Sequence, residues 1–171
     1  SGLGAAIFID SGLNLTIKAL SGIATTFNTS GNMTLPGNHG LGGNGGADGT
    51  DGSAVGNSIF LRHGSSLSIV AEDLSDVLTL GNGVQFADEQ SFGGNDSIII
   101  VKGKGKVTYN GTSNDYQGVV RINNANFNVN GSMTSAVMSV CRDISISPQR
   151  GILSGNGGQV GNVFVNSGEI A

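Results

Sequence analysis

The sequence predicts an all-β protein, a right-handed parallel β-helix (a solenoid of roughly six to seven coils), and three observations carry that expectation. First, a phrase is stated twice, GAAIFIDSGLNLTI at 4–17 and GNSIFLRHGSSLSI at 56–69. Both copies read G-x-x-I-F-[IL]-x-x-G-x-x-L-[ST]-I: a short apolar strand, a corner, a glycine, then an alternating strand. Second, glycine makes up 30 of 171 residues, with 18 Asn and 20 Ser, yet the stretches between are rich in Ile, Val, Leu and Phe and alternate. Disordered chains lack that alternation. Third, no stretch of ten or more residues keeps a helical apolar period. Strand starts instead fall about every ten residues, with a Gly, Asn or Asp corner at most joints. Antiparallel hairpins would show paired strands around two-residue Asn-Gly or Asp-Gly loops. Here like phrases recur after whole turns, which suits parallel stacking at about 20–25 residues per coil.

Residues 1–35 hold the first phrase, then alternating Ile23, Thr25 and Phe27, and a short strand at Met33-Thr34-Leu35 closed by Pro36, which cannot donate to a sheet ladder. Residues 37–56 are the most biased segment, with eight glycines in the first sixteen positions. They cannot pack a core of their own and read as a loop extruded between two equivalent strands. Asn38, His39, Asn44, Asp48 and Asp51 are its candidate contact residues. A cation site is the competing reading, because Asp48 and Asp51 beside Asn44 are similar to the glycine–aspartate turns of calcium-binding β-rolls. The nonapeptide pattern of those rolls is not matched, so no metal ligand is assigned.

The second phrase is followed by the acidic turn Glu72-Asp73-Leu74-Ser75-Asp76, read as a solvated corner with room for one helical turn, and by a strand at 77–80. Residues 81–96 read as a turn-rich connection. The run Ser97-Ile98-Ile99-Ile100-Val101 is the kind of strand found at the centre of a stack. Lys102, Lys104 and Lys106 follow at i, i+2, i+4. On one strand they face one way, outward, and they form a basic patch that either meets an anionic surface such as lipopolysaccharide or glycosaminoglycan, or is simply solvated. Residues 124–130 alternate Asn with apolar residues, which puts Phe127 and Val129 in the core and an asparagine row outside, able to bond to equivalent residues above and below. Further strands are expected at 136–140, 144–146, 151–153 and 163–165.

A net charge of −4 and a pI near 4.8 exclude a nucleic-acid binder, which needs a basic stripe. Apolar runs are too short for a membrane-spanning helix. The single Cys141 cannot form an internal disulfide, and low cysteine with high Gly, Asn and Ser fits an exported bacterial protein. Before Arg142 it reads as either a small core residue or a thiol of lowered pKa. Six N-glycosylation sequons (Asn14, Asn28, Asn32, Asn95, Asn110, Asn130) stand against roughly three expected by chance in this composition and carry no weight. The chain opens at Ser1 without an initiator methionine and stops at Ala171 directly after a strand, which reads as a single β-helix fragment of a longer protein.

From Lys102 onward the chain resembles the β-strand repeat of bacterial autotransporter passenger domains. That repeat reads Lys-x-Gly-x-Gly-Thr-Leu-x-Leu, then Gly-x-Asn-x-Tyr-x-Gly-x-Thr-x-Ile-x-x-Gly-x-Leu. Gly103, Gly105, Val107, Tyr109, Gly111, Asn114, Tyr116, Gly118, Val120, Ile122 and Phe127 occupy its places. The closing stretch 151–171 is similar to its sequel, so 102–171 is the best-matched part. Lys104 and Lys106 stand where small residues or threonine are usual, and Asn124-Ala125 replaces a glycine corner. The resemblance implies a β-helical scaffold joined to an outer-membrane translocator barrel, on the bacterial surface or secreted, that meets a host-cell or matrix molecule or a glycan. Open coil ends add possible self-association. The repeat brings no catalytic residues and no cofactor.

The alternative is a β-helical polysaccharide lyase or glycosidase. Such enzymes need clustered Asp and Glu with Arg, Lys or His on one face. Here the acids are scattered over loops, with His39 in the glycine segment and His63 at a corner, so the sequence reads as non-catalytic.

Overall fold

Short alternating apolar runs make strands, and the glycine, asparagine and aspartate corners keep them short. The computed structural model describes residues 2–3, 6–29, 35, 38, 42, 46–47, 49–51, 54–55, 58–89, 97–141, 150–166 and 168–171. Among them there is no helix; every regular element is a strand. In chain order these are β1 (Gly2–Leu3), β2 (Ile7–Ile9), β3 (Asn14–Lys18), β4 (Ala24–Phe27), β5 (Ala54–Val55), β6 (Ile59–Leu61), β7 (Ser66–Ala71), β8 (Val77–Leu80), β9 (Phe86–Asp88) and β10 (Ile98–Gly103). They continue with β11 (Lys106–Tyr109), β12 (Val119–Asn123), β13 (Asn126–Val129), β14 (Ser132–Met133), β15 (Val137–Cys141), β16 (Ile152–Ser154), β17 (Gln159–Val160), β18 (Val163–Asn166) and β19 (Glu169–Ile170).

Every pairing among the described strands is parallel. Two six-stranded sheets carry most of the molecule, in the orders β3-β7-β10-β12-β15-β18 and β4-β8-β11-β13-β16-β19. A third sheet runs β2-β6-β9, and β1-β5 and β14-β17 are two-stranded. Sheet order follows chain order in both large sheets, so each strand lies on the one an interval earlier. Parallel strands in stacked sheets of this kind are compatible with a parallel β-helix.

The two copies of the repeated phrase lie directly on one another. Ile7, Phe8 and Ile9 pair with Ile59, Phe60 and Leu61, and Leu15 and Ile17 pair with Leu67 and Ile69. The Phe8 and Phe60 rings stack at 5.7 Å and 8°. The register extends upstream of the phrase, to Gly2 with Ala54 and Leu3 with Val55. That last strand falls inside the 37–56 segment expected to be loop throughout. β9 likewise falls inside the 81–96 connection: Val84 and Phe86 are buried, but the flanking Asn, Gly and acidic residues hid a three-residue strand from a pattern reading. Leu35 is exposed and outside any strand, whereas Met33 and Thr34, and the strand expected at 144–146, lie outside the described residues.

The core consists of columns of like side chains, one residue per strand. One column runs Leu15, Leu67, Ile99, Val120, Met138, Val163, and the next Ile17, Ile69, Val101, Ile122, Val140, Val165. Facing them stand Phe27, Leu80, Tyr109 and Val129. The middle of each column is fully buried, while Val165 at the end is 48% exposed. Each interior Leu, Ile or Val contributes about 1.5–3 kcal/mol of burial. Ile98 and Ile100 on the outer side of β10 are half-buried rather than enclosed. Cys141 also sits on an outer column, because in β15 the inward residues are Met138 and Val140; it is not a core residue.

In the asparagine row, Phe127 and Val129 are buried, as alternation requires. Asn124 is buried as well, at a left-handed φ of 56°, where it turns the corner between β12 and β13. Bonding between equivalent asparagines occurs at the row's end: Asn130 Nδ2 donates to Asn110 Oδ1 (3.1 Å), and Asn130 Oδ1 accepts from the Asn156 N–H (3.1 Å).

Candidate functional site

Of the glycine-segment candidates, Asn38 and Asp51 are exposed, while His39, Asn44 and Asp48 lie outside the described residues. Among the described residues no group of three or more His, Cys, Asp or Glu side chains converges.

The three lysines do lie together, but not along one strand. Lys102 is on β10, Gly103 turns the chain at φ 112°, Lys104 is in the corner and Lys106 opens β11. The i, i+2, i+4 spacing describes one face only while a strand continues; here it spans the joint between the two large sheets. All three are exposed. The corner is laid tightly on the preceding one, with the Lys104 N–H donating to Glu72 O (3.1 Å), Gly105 N–H to Ala71 O (2.9 Å) and Lys106 N–H to Asp76 O (3.0 Å). A Cβ at position 103 would sit 1.9 Å from Ala71 O, so the backbones approach closely and only the lysines project.

Two cations missed by sequence reasoning stand close to this edge, Arg121 two residues before the position that pairs with Lys102. Arg121 is the exposed centre of β12, paired with Ile100 and Ser139. Exposed Arg150 precedes Gly151 and β16; Ile152 pairs with Asn126, which pairs with Lys106, so Arg150 belongs to the same joint two strands further on. Their signal was a charge asymmetry along the chain. Residues 1–96 hold Lys18 and Arg62 against nine carboxylates, while 97–171 hold six Lys and Arg against three.

The acidic turn is exposed at 72–75, but Asp76 is fully buried, which corrects its reading as a solvated corner. Asp76 Oδ2 accepts from the Asp73 N–H and Oδ1 from the Gly22 N–H of the preceding corner, both at 3.0 Å. These backbone donors hold its carboxyl below the ordinary carboxylate range. Buried Asp88 accepts from Ser97 Oγ (3.0 Å) and the Gln117 N–H (3.2 Å) in the same stitching role. Glu72 at the exposed tip pairs with Lys18 Nζ at 3.0 Å.

A second charged column follows β2, β6 and β9. Arg62 lies between Asp10 and Glu89, with its Nη1 3.0 Å from Asp10 Oδ1 and its Nε 3.2 Å from Glu89 Oε2. The Ser11 N–H and then Arg62 lower the Asp10 pKa; Arg62 and then the His63 N–H lower that of Glu89; the two carboxylates raise that of Arg62.

Both tyrosines matched by the repeat are buried and bonded. Tyr109 OH bonds Val84 O (3.1 Å) and Ser113 Oγ, and Tyr116 OH lies 3.2 Å from Ser97 O and 3.1 Å from Val119 O. Burial raises both phenol pKa values. Each is followed two residues on by a glycine, and a Cβ at 118 would sit 2.5 Å from Tyr116 OH and 2.5 Å from Ser97 O.

No family model, characterised protein or solved structure matches the chain.

Proposed function

We propose that this chain is a right-handed parallel β-helix of six coils that serves as a non-catalytic scaffold and adhesive segment of an autotransporter passenger, on the bacterial surface or secreted. The observation that supports this reading is the in-register stacking of the repeated phrase within parallel sheets that follow chain order. The residue pattern from 102 to 171 adds the likeness to the passenger repeat. In this reading the interior columns supply rigidity, while the outer faces and the 37–56 segment meet a host-cell or matrix molecule or a glycan. The reading places an outer-membrane translocator barrel in the full-length protein. The outermost strands β3, β4, β18 and β19 pair on one side only within the described sheets, so end-to-end association of copies belongs to the same reading.

Beads coated with the purified chain are expected to adhere to cultured host cells, and soluble chain is expected to compete. Absence of adhesion, together with release of reducing or unsaturated sugars from a polysaccharide panel, would replace this reading with an enzymatic one.

A further inference from the structure

We infer that the joint between the two large sheets is a binding edge for a linear anionic polysaccharide, one bearing sulfate or carboxylate groups. The inference rests on the scaffold reading above and names the chemistry of its partner.

The protein is acidic as a whole, yet one edge collects exposed cations from successive strands: Lys102, Lys104 and Lys106 around the β10–β11 corner, Arg121 on β12 and Arg150 before β16. Among the described residues, Lys102, Lys106, Arg121 and Arg150 make no ion pair with a carboxylate. By contrast, the other two described cations are committed, Lys18, in the column of Lys102 two strands earlier, to Glu72, and Arg62 to Asp10 and Glu89. The described exposed carboxylates bordering the edge are Glu72, already met by Lys18, and Asp73 on the preceding corner, and Glu169 on β19, in register with Ile152 and one strand beyond Arg150. Strands are about 4.8 Å apart, so the cations from β10 to β16, two strand steps, line a ridge roughly 10 Å long. A row of exposed cations, of which Lys102, Lys106, Arg121 and Arg150 have no carboxylate partner among the described residues, fits a repeating polyanion. Contacts that stay open to solvent leave much of each charge's hydration in place.

Neighbouring groups favour a sugar polymer over other polyanions. Ser68, Asn123 and Ser139 stand among the cations on the outer face and can bond hydroxyl groups. Single-stranded nucleic acid calls for aromatic platforms interleaved with the cations, whereas the described aromatic on this face, Phe164, is on β18, two strands beyond Arg121. A membrane surface calls for protruding apolar side chains among the cations. On this joint Leu20, Ile23 and Leu74 do protrude, but from the earlier corners that also carry Glu72 and Asp73, while Ile98, Ile100, Val119 and Val137 beside the cations are half-buried.

The test measures binding of the purified chain to heparin, with neutral dextran, phosphatidylglycerol vesicles and a single-stranded oligonucleotide alongside. Two variants of equal charge change are compared: Lys102→Gln/Lys106→Gln/Arg121→Gln, and Asn156→Asp/Gln159→Glu/Asn162→Asp at exposed positions elsewhere. Expected results are salt-sensitive heparin binding, no dextran binding, a loss of about tenfold or more in the first variant and little change in the second. Circular dichroism confirms that both variants fold. Equal weakening by both variants, or vesicle or oligonucleotide binding as tight as heparin binding, overturns the inference. Cell adhesion of coated beads without heparin binding overturns it while leaving the scaffold reading intact.

Discussion

At the residue scale, the Tyr-x-Gly pattern at 109–111 and 116–118 has a steric cause. Each phenol folds back to bond a backbone carbonyl, and the glycine two residues later leaves the space its ring needs. Tyr116→Phe is expected to cost about 1 kcal/mol in chemical denaturation, the net worth of a buried hydrogen bond. Gly118→Ala is expected to cost about 2 kcal/mol or more by overpacking, and the double variant less than the sum, because removing the hydroxyl relieves part of the clash. A strictly additive cycle would show that the two side chains do not share this space. Asn124 is a second case. It holds a left-handed corner equivalent to that of Gly103, so Asn124→Ala should lose about 1 kcal/mol more than Asn124→Gly. These residues were visible in the sequence as a pattern, and the close backbone approach that explains them was not. Spacing along the chain carries no information about which carbonyl lies overhead.

At the element scale, strands were more legible than corners. Alternation placed Leu67, Ile69, Phe127 and Val129 inward, because a strand's period of two is local. Corner chemistry depends on the preceding corner, more than fifty residues earlier in the case of Gly22 and Asp76, so the burial of Asp76 could not be read from its acidic neighbours. The same distance hid the Asp10–Arg62–Glu89 column. These carboxylates, with Asp76, have folded pKa values below their unfolded ones. They therefore stabilise the fold above pH of about 4, and that contribution is lost as pH falls through the lowered values. Thermal melts should show the transition temperature falling between about pH 5 and 3, with a shallower fall in Arg62→Met, which removes part of the shift. An identical slope in that variant would mean that Arg62 does not hold the two carboxylates. The lysine cluster shows the opposite limit: its exposure was legible, its membership was not. Arg121, two residues before the joint on β12, and Arg150 come near the lysines only because the sheets stack.

At the scale of the whole molecule, the first interval between stacked strands is the longest. Leu15 to Leu67 spans 52 residues, whereas Ile99 to Val120 spans 21. The surplus is the stretch that contains the glycine-rich segment, so extra chain is spent between two strands that keep perfect register. Long connections cost little when the strands they join are well specified, because closure entropy grows only logarithmically with length. Interior truncation should be felt more than any change in that stretch: Leu67→Ala is expected to cost about 2–5 kcal/mol. The most direct test of the parallel stack is disulfide trapping in a Cys141→Ser background. Thr16, Ser68 and Ile100 form one outer column on β3, β7 and β10. Neighbouring strands put Cα atoms about 4.8 Å apart, within disulfide reach, and strands two steps apart lie beyond about 9 Å. The pairs Thr16→Cys/Ser68→Cys and Ser68→Cys/Ile100→Cys should each close an intramolecular disulfide under mild oxidation, and Thr16→Cys/Ile100→Cys should not. Closure of that last pair as readily as the other two would contradict the stacked arrangement.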